Sequence, residues 1–488
     1  MAPRQRGSGF DIARRLAAIC GDRFARPAGA ADGVAGAPAR WVAAPGTPEA
    51  VTEVLRLAAE HDLSVVARGA GTKLDWGATP SHLDIVLDTG RLAGVRSWPA
   101  DELAAEIGAG TPIRAAQAIL ERAGRRLPLD VPSVGATVGG VVAAAETGPL
   151  RHLHGTPCDQ LLGASFVDAA GALTHVRAAS RVEGAAGAEV PALARRPART
   201  EAPAWRAAPG VGWAASTASG TDVARLLCGS QGALGVLVSA TLRVQPIPAS
   251  RIWVTRSVWT PLEVHDLVSL ILTAEVDATA IEVDLPAGDP TRSGVRRPGA
   301  SGEQRSSGHP AGSARRERPG GRGSGSLAIL LEGGPADVSE RVSQLAVLLG
   351  DDVRAIGTAP PWWRRYPFRP DEVALRIEVP ITDLHAAVYA LRDAAGAPVP
   401  VRGSAGLGVV HAALPADTPP DRVAAILDGV RSVLLARAGR CVVVAAPPPV
   451  RAIVDLWGDL PDLPLLRRVK ERFDPAHRLA PGRYPGGI

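Results

Sequence analysis

Three glycine-rich segments carry residue types that could hold a phosphate-bearing ligand. The first follows an apolar run at 63–67 that predicts a buried strand. Its residues are Arg68, Gly69, Ala70, Gly71, Thr72, Lys73 and Leu74. Backbone amides beside glycine can approach an anion closely. The spacing is neither that of a Rossmann turn nor that of a P-loop. The segment therefore indicates a different pyrophosphate cradle, with an ordinary glycine turn as the alternative.

The second segment, residues 132–148, places two glycines in the first turn of a predicted helix capped by Thr137. Each glycine costs a helix about 1 kcal/mol relative to alanine. That cost is easier to understand if a phosphate packs against the bare backbone. A glycine-lined contact between helix and sheet explains it equally well. The candidate binding residues here are Pro132, Gly135, Ala136, Thr137, Gly139 and Gly140.

The third segment, residues 229–236, has three glycines at the start of a predicted strand, which indicates close approach by a ligand or another backbone. Together with the stretch Thr156–Gly163, the order of the segments resembles the FAD-binding domain of the vanillyl-alcohol oxidase and p-cresol methylhydroxylase superfamily. The ending Lys470–Arg483 resembles that of its 2-hydroxy-acid branch. Within that branch the chain is most similar to the FAD-binding subunits of glycolate oxidases, over about residues 40–286 and 327–485.

This resemblance implies FAD as the cofactor. It places the pyrophosphate and ribitol on the first two segments, and it adds Thr156, Asp159, Gly235 and Val236 as binding residues. Covalent relatives have a histidine in the first glycine loop, where this chain has Thr72. Non-covalent FAD is therefore expected.

The resemblance also implies a small 2-hydroxy acid, glycolate or lactate-like, as the substrate. Such a substrate needs a cation for its carboxylate and a base for its hydroxyl proton. Arg365 is the candidate for the first role, with Arg364 and Arg376 as alternatives, and His411 is the candidate base. The competing interpretation is a set of surface arginines and a core histidine.

Three functions compete. The first is an FAD subunit of a glycolate oxidase-type complex, with a sister FAD subunit and an iron–sulfur subunit as partners. The second is a stand-alone FAD-linked alcohol or aldonolactone oxidase. The third is a non-catalytic assembly flavoprotein. Similar subunits carry K-N-V-A-G-Y-D where this chain has Ser216–Asp222, which favours the third function more than in a typical relative.

Composition narrows the class of protein. The chain has 488 residues and a formal net charge of +5, but only two lysines, so its basicity reflects interspersed arginines rather than a nucleic-acid surface. The sequence has no apolar run of eighteen or more residues and no long apolar segment among residues 1–26, so neither a transmembrane segment nor a secretory signal is expected. A cytoplasmic location is expected, with peripheral attachment to the inner face of the membrane through partners as the alternative. The four cysteines form no metal motif, so no metal is expected, and they are expected to be reduced and isolated.

The predicted elements include a helix capped by Thr47, a hairpin at 163–177, a strand at 406–414 and a helix whose inward residues are Ile113, Ala116, Ile119 and Leu120. Their pattern indicates an α+β protein. The resemblance implies a two-lobed FAD-binding domain and a smaller α+β cap or substrate domain built on an antiparallel sheet. The expected organisation is a flexible segment at 1–40, the FAD-binding domain at 41–248 and the cap domain at 249–460. A C-terminal segment at 461–488 is expected to return to the FAD-binding domain. Polar, glycine- or proline-rich insertions are expected at 178–212 and 287–326.

Overall fold

The computed structural model describes residues 9–97, 103–178, 222–287, 325–350 and 352–488. The two expected insertions fall almost entirely outside these ranges. Residues 216–221 of the altered segment also lie outside the described residues, and Asp222 lies inside them.

The first lobe packs two helices against a small mixed sheet. Its elements are α1 Gly9–Cys20, β1 Ala25–Pro27, β2 Trp41–Ala43, α2 Pro48–His61, β3 Val65–Arg68 and β4 Ile85–Asp88. Within the described residues the strand order is β1-β2-β4-β3, and β4 is parallel to both of its neighbours. Thr47 caps α2 by accepting a hydrogen bond from the Ala50 amide at 3.2 Å, as the sequence predicts. The first glycine segment therefore begins at the carboxyl end of β3.

The second lobe is an antiparallel sheet with short helices. Its elements are β5 Val95–Ser97, β6 Ala104–Gly108, α3 Ile113–Glu121, β7 Arg125–Arg126, α4 Val138–Ala144, α5 Arg151–His154, α6 Pro157–Gln160, β8 Leu161–Val167, β9 Leu173–Arg177, α7 Val223–Leu227, β10 Val236–Arg243 and β11 Gln245–Pro246. In the described part of the lobe the larger sheet has the order β5-β6-β10-β8-β9. The predicted hairpin at 163–177 is present as β8 and β9. Ile119, predicted to face inward, is 39% exposed because it lies off the α3 face formed by Ile113, Ala116 and Leu120.

The third part is an antiparallel sheet with helices. Its elements are β12 Ser250–Val258, α8 Pro261–Thr273, β13 Ala280–Leu285, β14 Gly325–Gly333, α9 Pro335–Leu349, β15 Val353–Ile356, β16 Val373–Glu378, α10 Leu384–Ala395, β17 Val401–Ser404, β18 Val409–Leu414, α11 Pro420–Leu435, β19 Arg440–Ala445 and α12 Pro448–Ile453. Among the described strands the order is β15-β12-β14-β13-β17-β18-β16-β19. Ile281 and Val283 pack with apolar residues of α8 to α11, so the alternating residues Glu282 and Asp284 point to the opposite face.

The chain ends with α13 Leu463–Phe473 and a segment that reaches the first lobe. The Ala480 amide donates to the Val65 carbonyl at 2.8 Å, and the Val65 amide donates to the Arg478 carbonyl at 2.8 Å. The helices and the largely antiparallel sheets confirm the α+β class. None of the helices within the described ranges has the length and apolar character needed to cross a bilayer.

Deletion of residues 290–322 should leave FAD content and the thermal midpoint nearly unchanged. The flanking strands β13 and β14 pair antiparallel, with Asp284 opposite Ser326, so a short turn can join them. FAD absorbance and a thermal melt of the deletion variant check this expectation. A large loss of soluble protein would show that the deleted segment supports the fold.

Candidate functional site

The first two glycine segments meet at Gly69 and Thr137. A Cβ added to Gly69 would lie 2.1 Å from Thr137 Oγ1, which no side chain tolerates without a shift of the backbone. The same Oγ1 caps α4 by accepting from the Gly140 amide at 3.3 Å. Glycine at 69 is therefore required for the two segments to touch.

The third glycine segment lies against the C-terminal end of α4. The Gly229 amide donates to the Val142 carbonyl at 3.0 Å, and the Gln231 amide donates to the Ala143 carbonyl at 2.7 Å. Gln231 adopts the left-handed conformation with φ of 54°. The fold thus brings together all three segments that the sequence singles out.

Glycine occupies the positions in these segments for two different structural reasons. A Cβ at Gly139 would lie 2.7 Å from the Ala109 Cβ, and one at Gly235 would lie 2.6 Å from Phe166, so both glycines serve packing. The helix–sheet alternative is therefore the correct explanation for Gly139. A Cβ at Gly135 would meet nothing within 4 Å, and Gly140 is exposed. These two positions leave bare backbone facing open space, which is what a bound phosphate needs.

The guanidinium of Arg68 is held by two carboxylates. Its Nη1 lies 2.9 Å from Asp32 Oδ1 and its Nη2 lies 2.8 Å from Asp88 Oδ2. Arg26 shares Asp32, and these contacts lower the pKa of that carboxyl below its ordinary value. Arg68 therefore ties β3 to β4 and to the 30–32 turn, and the backbone of its loop remains for a ligand.

A buried network around Glu146 connects the first glycine loop to the neighbouring cavity. Lys73 Nζ lies 2.7 Å from Glu146 Oε1, which also accepts from the Tyr366 hydroxyl at 3.0 Å and the Ser133 amide at 3.1 Å. The Lys73 ammonium lies 4.1 Å from the ring centroid of Trp76. Burial lowers the pKa of Lys73 against the opposing effect of Glu146. Sequence reasoning selected Lys73 but missed its partners.

Thr156 and Asp159 form a capping box at the start of α6. The Thr156 amide and hydroxyl donate to Asp159 Oδ2 at 2.9 and 2.7 Å. This contact fixes the turn that precedes β8.

The expectation of isolated, reduced cysteines is wrong for one pair. Cys158 in α6 and Cys228 after α7 form a disulfide with their Cα atoms 5.7 Å apart. They are 70 positions apart in sequence, and the packing of α7 against β8, the strand that follows α6, brings their elements together. Cys20 and Cys441 are free and buried, and burial raises their pKa values to about 11 and 12. Disulfides are rare in reducing compartments. The cytoplasmic location stays a prediction.

A cavity lies between the 147–151 turn, the 362–366 segment and the eight-stranded sheet of the third part. It encloses about 510 Å³ not filled by protein atoms, part of it open to solvent. Its lining residues are Pro132, Thr147, Gly148, Pro149, Arg151, Glu282, Trp362, Arg364, Arg365, Tyr366, Arg402, Gly403, Ser404, Val409 and His411. Both predicted catalytic residues, Arg365 and His411, therefore lie in one cavity. Arg365 and Arg364 are exposed, and Arg364 has a left-handed backbone with φ of 55°.

Polar residues that lie opposite one another on neighbouring strands of the sheet form a row along one wall of this cavity. Arg402 is paired with Asp284 on one side and His411 on the other, and His411 is paired with Arg376. Residues opposite each other on neighbouring strands share a face. The guanidinium of Arg402 contacts Asp284 at 2.8 Å, and Arg376 forms an ion pair with Glu378. Of the predicted cations, Arg376 is therefore already occupied.

His411 is uncharged at neutral pH. Burial, together with the charges of Arg376, Lys73 and Arg151, lowers its pKa to about 3. Its ring lies 4.9 Å from that of Tyr366 in an edge-to-face contact. A neutral imidazole beside the cavity can accept a proton or a hydrogen bond.

Two buried acids near the cavity were missed by sequence reasoning. Burial raises the pKa of Asp130 to about 7 and that of Glu282 to about 8. The positive charge of Arg364 opposes the shift at Asp130, and that of Arg151 opposes the shift at Glu282. Asp130 accepts from the Leu150 amide at 3.0 Å. Glu282 could have been found from the alternation in Ala280–Leu285, where two acids interrupt apolar residues at every second position.

Comparisons with known proteins agree with this geometry. Residues 39–177 match the FAD binding domain family. The chain is 28% identical over 214 residues to the glycolate oxidase subunit GlcE of Escherichia coli strain K12, covering 43% of this chain and 50% of that protein. It is 28% identical over 205 residues to the D-lactate dehydrogenase of Archaeoglobus fulgidus, covering 42% of this chain and 38% of that protein. The matches thus span half or less of the length of these relatives.

Solved structures show the same fold over nearly the whole chain. A p-cresol methylhydroxylase with substrate bound superposes with a TM-score of 0.66 at 14% identity, covering 99% of this chain and 98% of that one. An alkyldihydroxyacetonephosphate synthase superposes with a TM-score of 0.63 at 15% identity, covering 99% of this chain and 86% of that one. The fold is therefore that of p-cresol methylhydroxylase. Residues 39–177 form an FAD binding domain, and the cofactor is FAD.

The described residues fit this cofactor. Gly135 and Gly140 present open backbone where a pyrophosphate can lie, and Gly69 brings the first loop against the same place. The Lys73–Glu146 pair lies between that place and the cavity. We propose that the first two glycine segments hold the pyrophosphate and ribitol, and that the segment around Gly235 and Val236 contributes to the same pocket.

The purified protein should release its FAD on treatment with acid or heat, because position 72 is threonine rather than a linking histidine. Precipitation with acid, followed by an absorbance spectrum of the supernatant, checks this. Yellow colour retained in the washed precipitate would contradict it.

Proposed function

We propose that the protein is an FAD-dependent oxidoreductase that converts a small 2-hydroxy acid, such as glycolate or lactate, to the 2-oxo acid. The observation that carries the proposal is a neutral histidine, His411, in a cavity that four arginines also line. Arginine is suited to a carboxylate, and an imidazole is suited to a hydroxyl proton. Relatives named D-lactate dehydrogenase and D-2-hydroxyglutarate dehydrogenase support the same substrate class.

In this mechanism the chain's own residues bind the substrate and move one proton. A guanidinium group among those that line the cavity holds the substrate carboxylate. His411 accepts the proton of the 2-hydroxyl group. The low pKa of His411 reflects burial among cations, so a bound carboxylate nearby raises it and makes the imidazole a better acceptor. When bound, FAD supplies the acceptor for the two electrons and the hydrogen that leave C2.

The similarity to a subunit of glycolate oxidase supports a further proposal about assembly. We propose that this chain works with a sister FAD subunit and an iron–sulfur subunit, which take the electrons onward and attach it to the membrane. A stand-alone oxidase and a non-catalytic flavoprotein are the competing outcomes, and the experiment below separates them.

Anaerobic addition of glycolate, D-lactate or L-lactate should bleach the FAD absorbance of the purified protein, alone or with its partners. His411→Gln should bind FAD equally well and bleach at least about 100-fold more slowly, as expected when a general base is removed. Bleaching by an unrelated alcohol but by no 2-hydroxy acid would support a different oxidase. Failure of every donor with the full set of partners would show that this chain is not the catalytic flavoprotein.

A further inference from the structure

Three of the four arginines that line the cavity, Arg151, Arg364 and Arg365, make no side-chain hydrogen bond or ion pair within the described residues, and of these three Arg151 is the one that is not exposed. Arg402, by contrast, holds Asp284 and donates to the carbonyls of Arg365 and Tyr366. Arg365 and Arg364 lie at the exposed side of the cavity. A partly buried guanidinium without a partner is costly, and a carboxylate ligand is what best relieves that cost.

The guanidinium of Arg151 is positively charged, and no carboxylate of the described residues forms an ion pair with it. Burial and the charge of Arg376 lower its pKa, and the carboxylates of Glu378, Asp159 and Glu282 act in the opposite direction. Glu378 is already paired with Arg376 and Arg440. The region around Arg151 therefore has an excess of positive charge that an incoming anion can balance.

A second group in the same wall interacts with Ser404 but has one carboxyl oxygen without a partner. Glu282 is 6% exposed, and its Oε1 is buried without a hydrogen-bond partner. It lies on β13 opposite Ser404, on the face of the sheet that points away from the helices. Burial and the neighbouring Asp130 raise its pKa to about 8, so near neutral pH it is largely protonated and does not repel an anion. A protonated carboxyl can also donate a hydrogen bond to a ligand oxygen.

We propose that Arg151, rather than Arg365, is the principal anchor for the carboxylate of the ligand, and that Glu282 beside it contacts the same small anion. The proposal rests on the proposed function for the identity of the ligand as a 2-hydroxy acid. Arg151 begins α5, which packs on β13 of the sheet, so its position is fixed by the interface between the turn and the sheet. That placement suits a specificity residue better than the exposed segment that carries Arg365.

The test measures anion binding separately from turnover. Oxalate, which cannot be oxidised at a hydroxyl carbon, is titrated into the FAD-loaded protein by calorimetry. Arg151→Gln should weaken oxalate binding about 10- to 100-fold, because a charge-assisted, two-pronged contact is lost. Arg151→Lys should give an intermediate loss, since lysine keeps the charge but not the fork. FAD content should be unchanged in both variants.

Two other arginines provide the comparison. Arg365→Gln and Arg365→Lys should change oxalate affinity by less than about threefold. Arg467→Gln, at an exposed position on α13, is the control for loss of a distant charge and should have no effect. Glu282→Gln, which keeps a group able to donate, should retain binding better than Glu282→Leu.

The outcomes separate this inference from the proposed function. If Arg151→Gln binds oxalate like the wild type while Arg365→Gln does not, the anchor is Arg365 and the inference is wrong. If 2-hydroxy acids bleach the wild type and KM is unchanged in Arg151→Gln, the function stands and the inference fails. If oxalate binding depends on Arg151 but no 2-hydroxy acid bleaches the flavin, the anion site stands and the function fails.

Discussion

Gly69→Ala should lose FAD while the chain stays folded. The added Cβ would lie 2.1 Å from Thr137 Oγ1 and 3.3 Å from Thr137 Cβ. Relief requires the two glycine segments to separate by about 1 Å, given ordinary contact distances. Overpacking of this kind costs about 1–3 kcal/mol. Because we propose that these two segments together hold the pyrophosphate, we expect FAD affinity to fall about tenfold or more. The measurement is the FAD-to-protein ratio after dialysis, with circular dichroism as the test of folding.

Two variants show whether the effect belongs to this contact. Gly357→Ala is the matched control, since a Cβ there meets nothing within 4 Å. Combining Gly69→Ala with Thr137→Ala removes the overlapping Oγ1 and should restore part of the FAD binding. Thr137→Ala alone measures the loss of the α4 cap, about 1 kcal/mol. Equal FAD content in Gly69→Ala and the wild type would show that the pyrophosphate does not lie at this junction.

The structure also changes how the other glycines should be tested. Valine at Gly139 would overlap with Ala109, whose Cβ is 2.7 Å from the added carbon, so it would perturb the packing of α4 rather than only the cradle. Gly140 is exposed, and its added Cβ would lie 3.1 Å from Thr137 Oγ1, its own helix cap. A bulky residue at 140 alone is therefore the cleaner probe of the cofactor.

Much of the fold follows from local sequence signals. The cap at Thr47, the glycine at the start of α4 and the hairpin at 163–177 depend on residues close together in the chain, and each is present as predicted. The predicted strand at 406–414 begins later than predicted, at Val409, because Gly408 with φ of 68° lies in the turn that precedes it. Val401–Ser404 forms a further strand, paired with β18, that the sequence analysis did not predict.

The residue types of the candidate site could be predicted from the sequence, but the groups with which they interact could not. Arg365 and His411 were selected, and the structure places both in one cavity, whereas Arg151 and Glu282 were not selected. Their roles depend on which guanidinium groups are already occupied in the folded sheet. Asp284 on the neighbouring strand occupies Arg402, and Glu378 on the same strand occupies Arg376, although the three arginines carry the same charge in the sequence. The Cys158–Cys228 disulfide escaped prediction for the same reason.

Asp474→Asn should cause the largest loss of stability among single substitutions proposed for this protein. Lys470 and Asp474 form an ion pair of 2.8 Å in which both side chains are 0% exposed. Lys470 Nζ also donates to the carbonyls of Ala233 and Leu479 at 2.9 and 2.7 Å. Asparagine keeps the shape but leaves the ammonium buried without a countercharge. Breaking one partner of such a pair costs about 3–5 kcal/mol.

Asp337→Asn is the control that separates the effect of burial from that of the ion pair. Asp337 and Arg341 have the same i,i+4 spacing and lie 2.6 Å apart, but the side chain of Asp337 is 64% exposed. Exposed pairs contribute about 0–1 kcal/mol, so its thermal midpoint should barely move. Lys470 reaches Ala233 in the third glycine segment, so Asp474→Asn should also weaken FAD binding, whereas Asp337→Asn should not. Equal thermal midpoints for the two variants would mean that the buried pair does not hold the C-terminal segment in place. Lys470 and Asp474 therefore hold the C-terminal segment against the FAD-binding domain. The resemblance of this segment to a family motif does not by itself reveal that structural role.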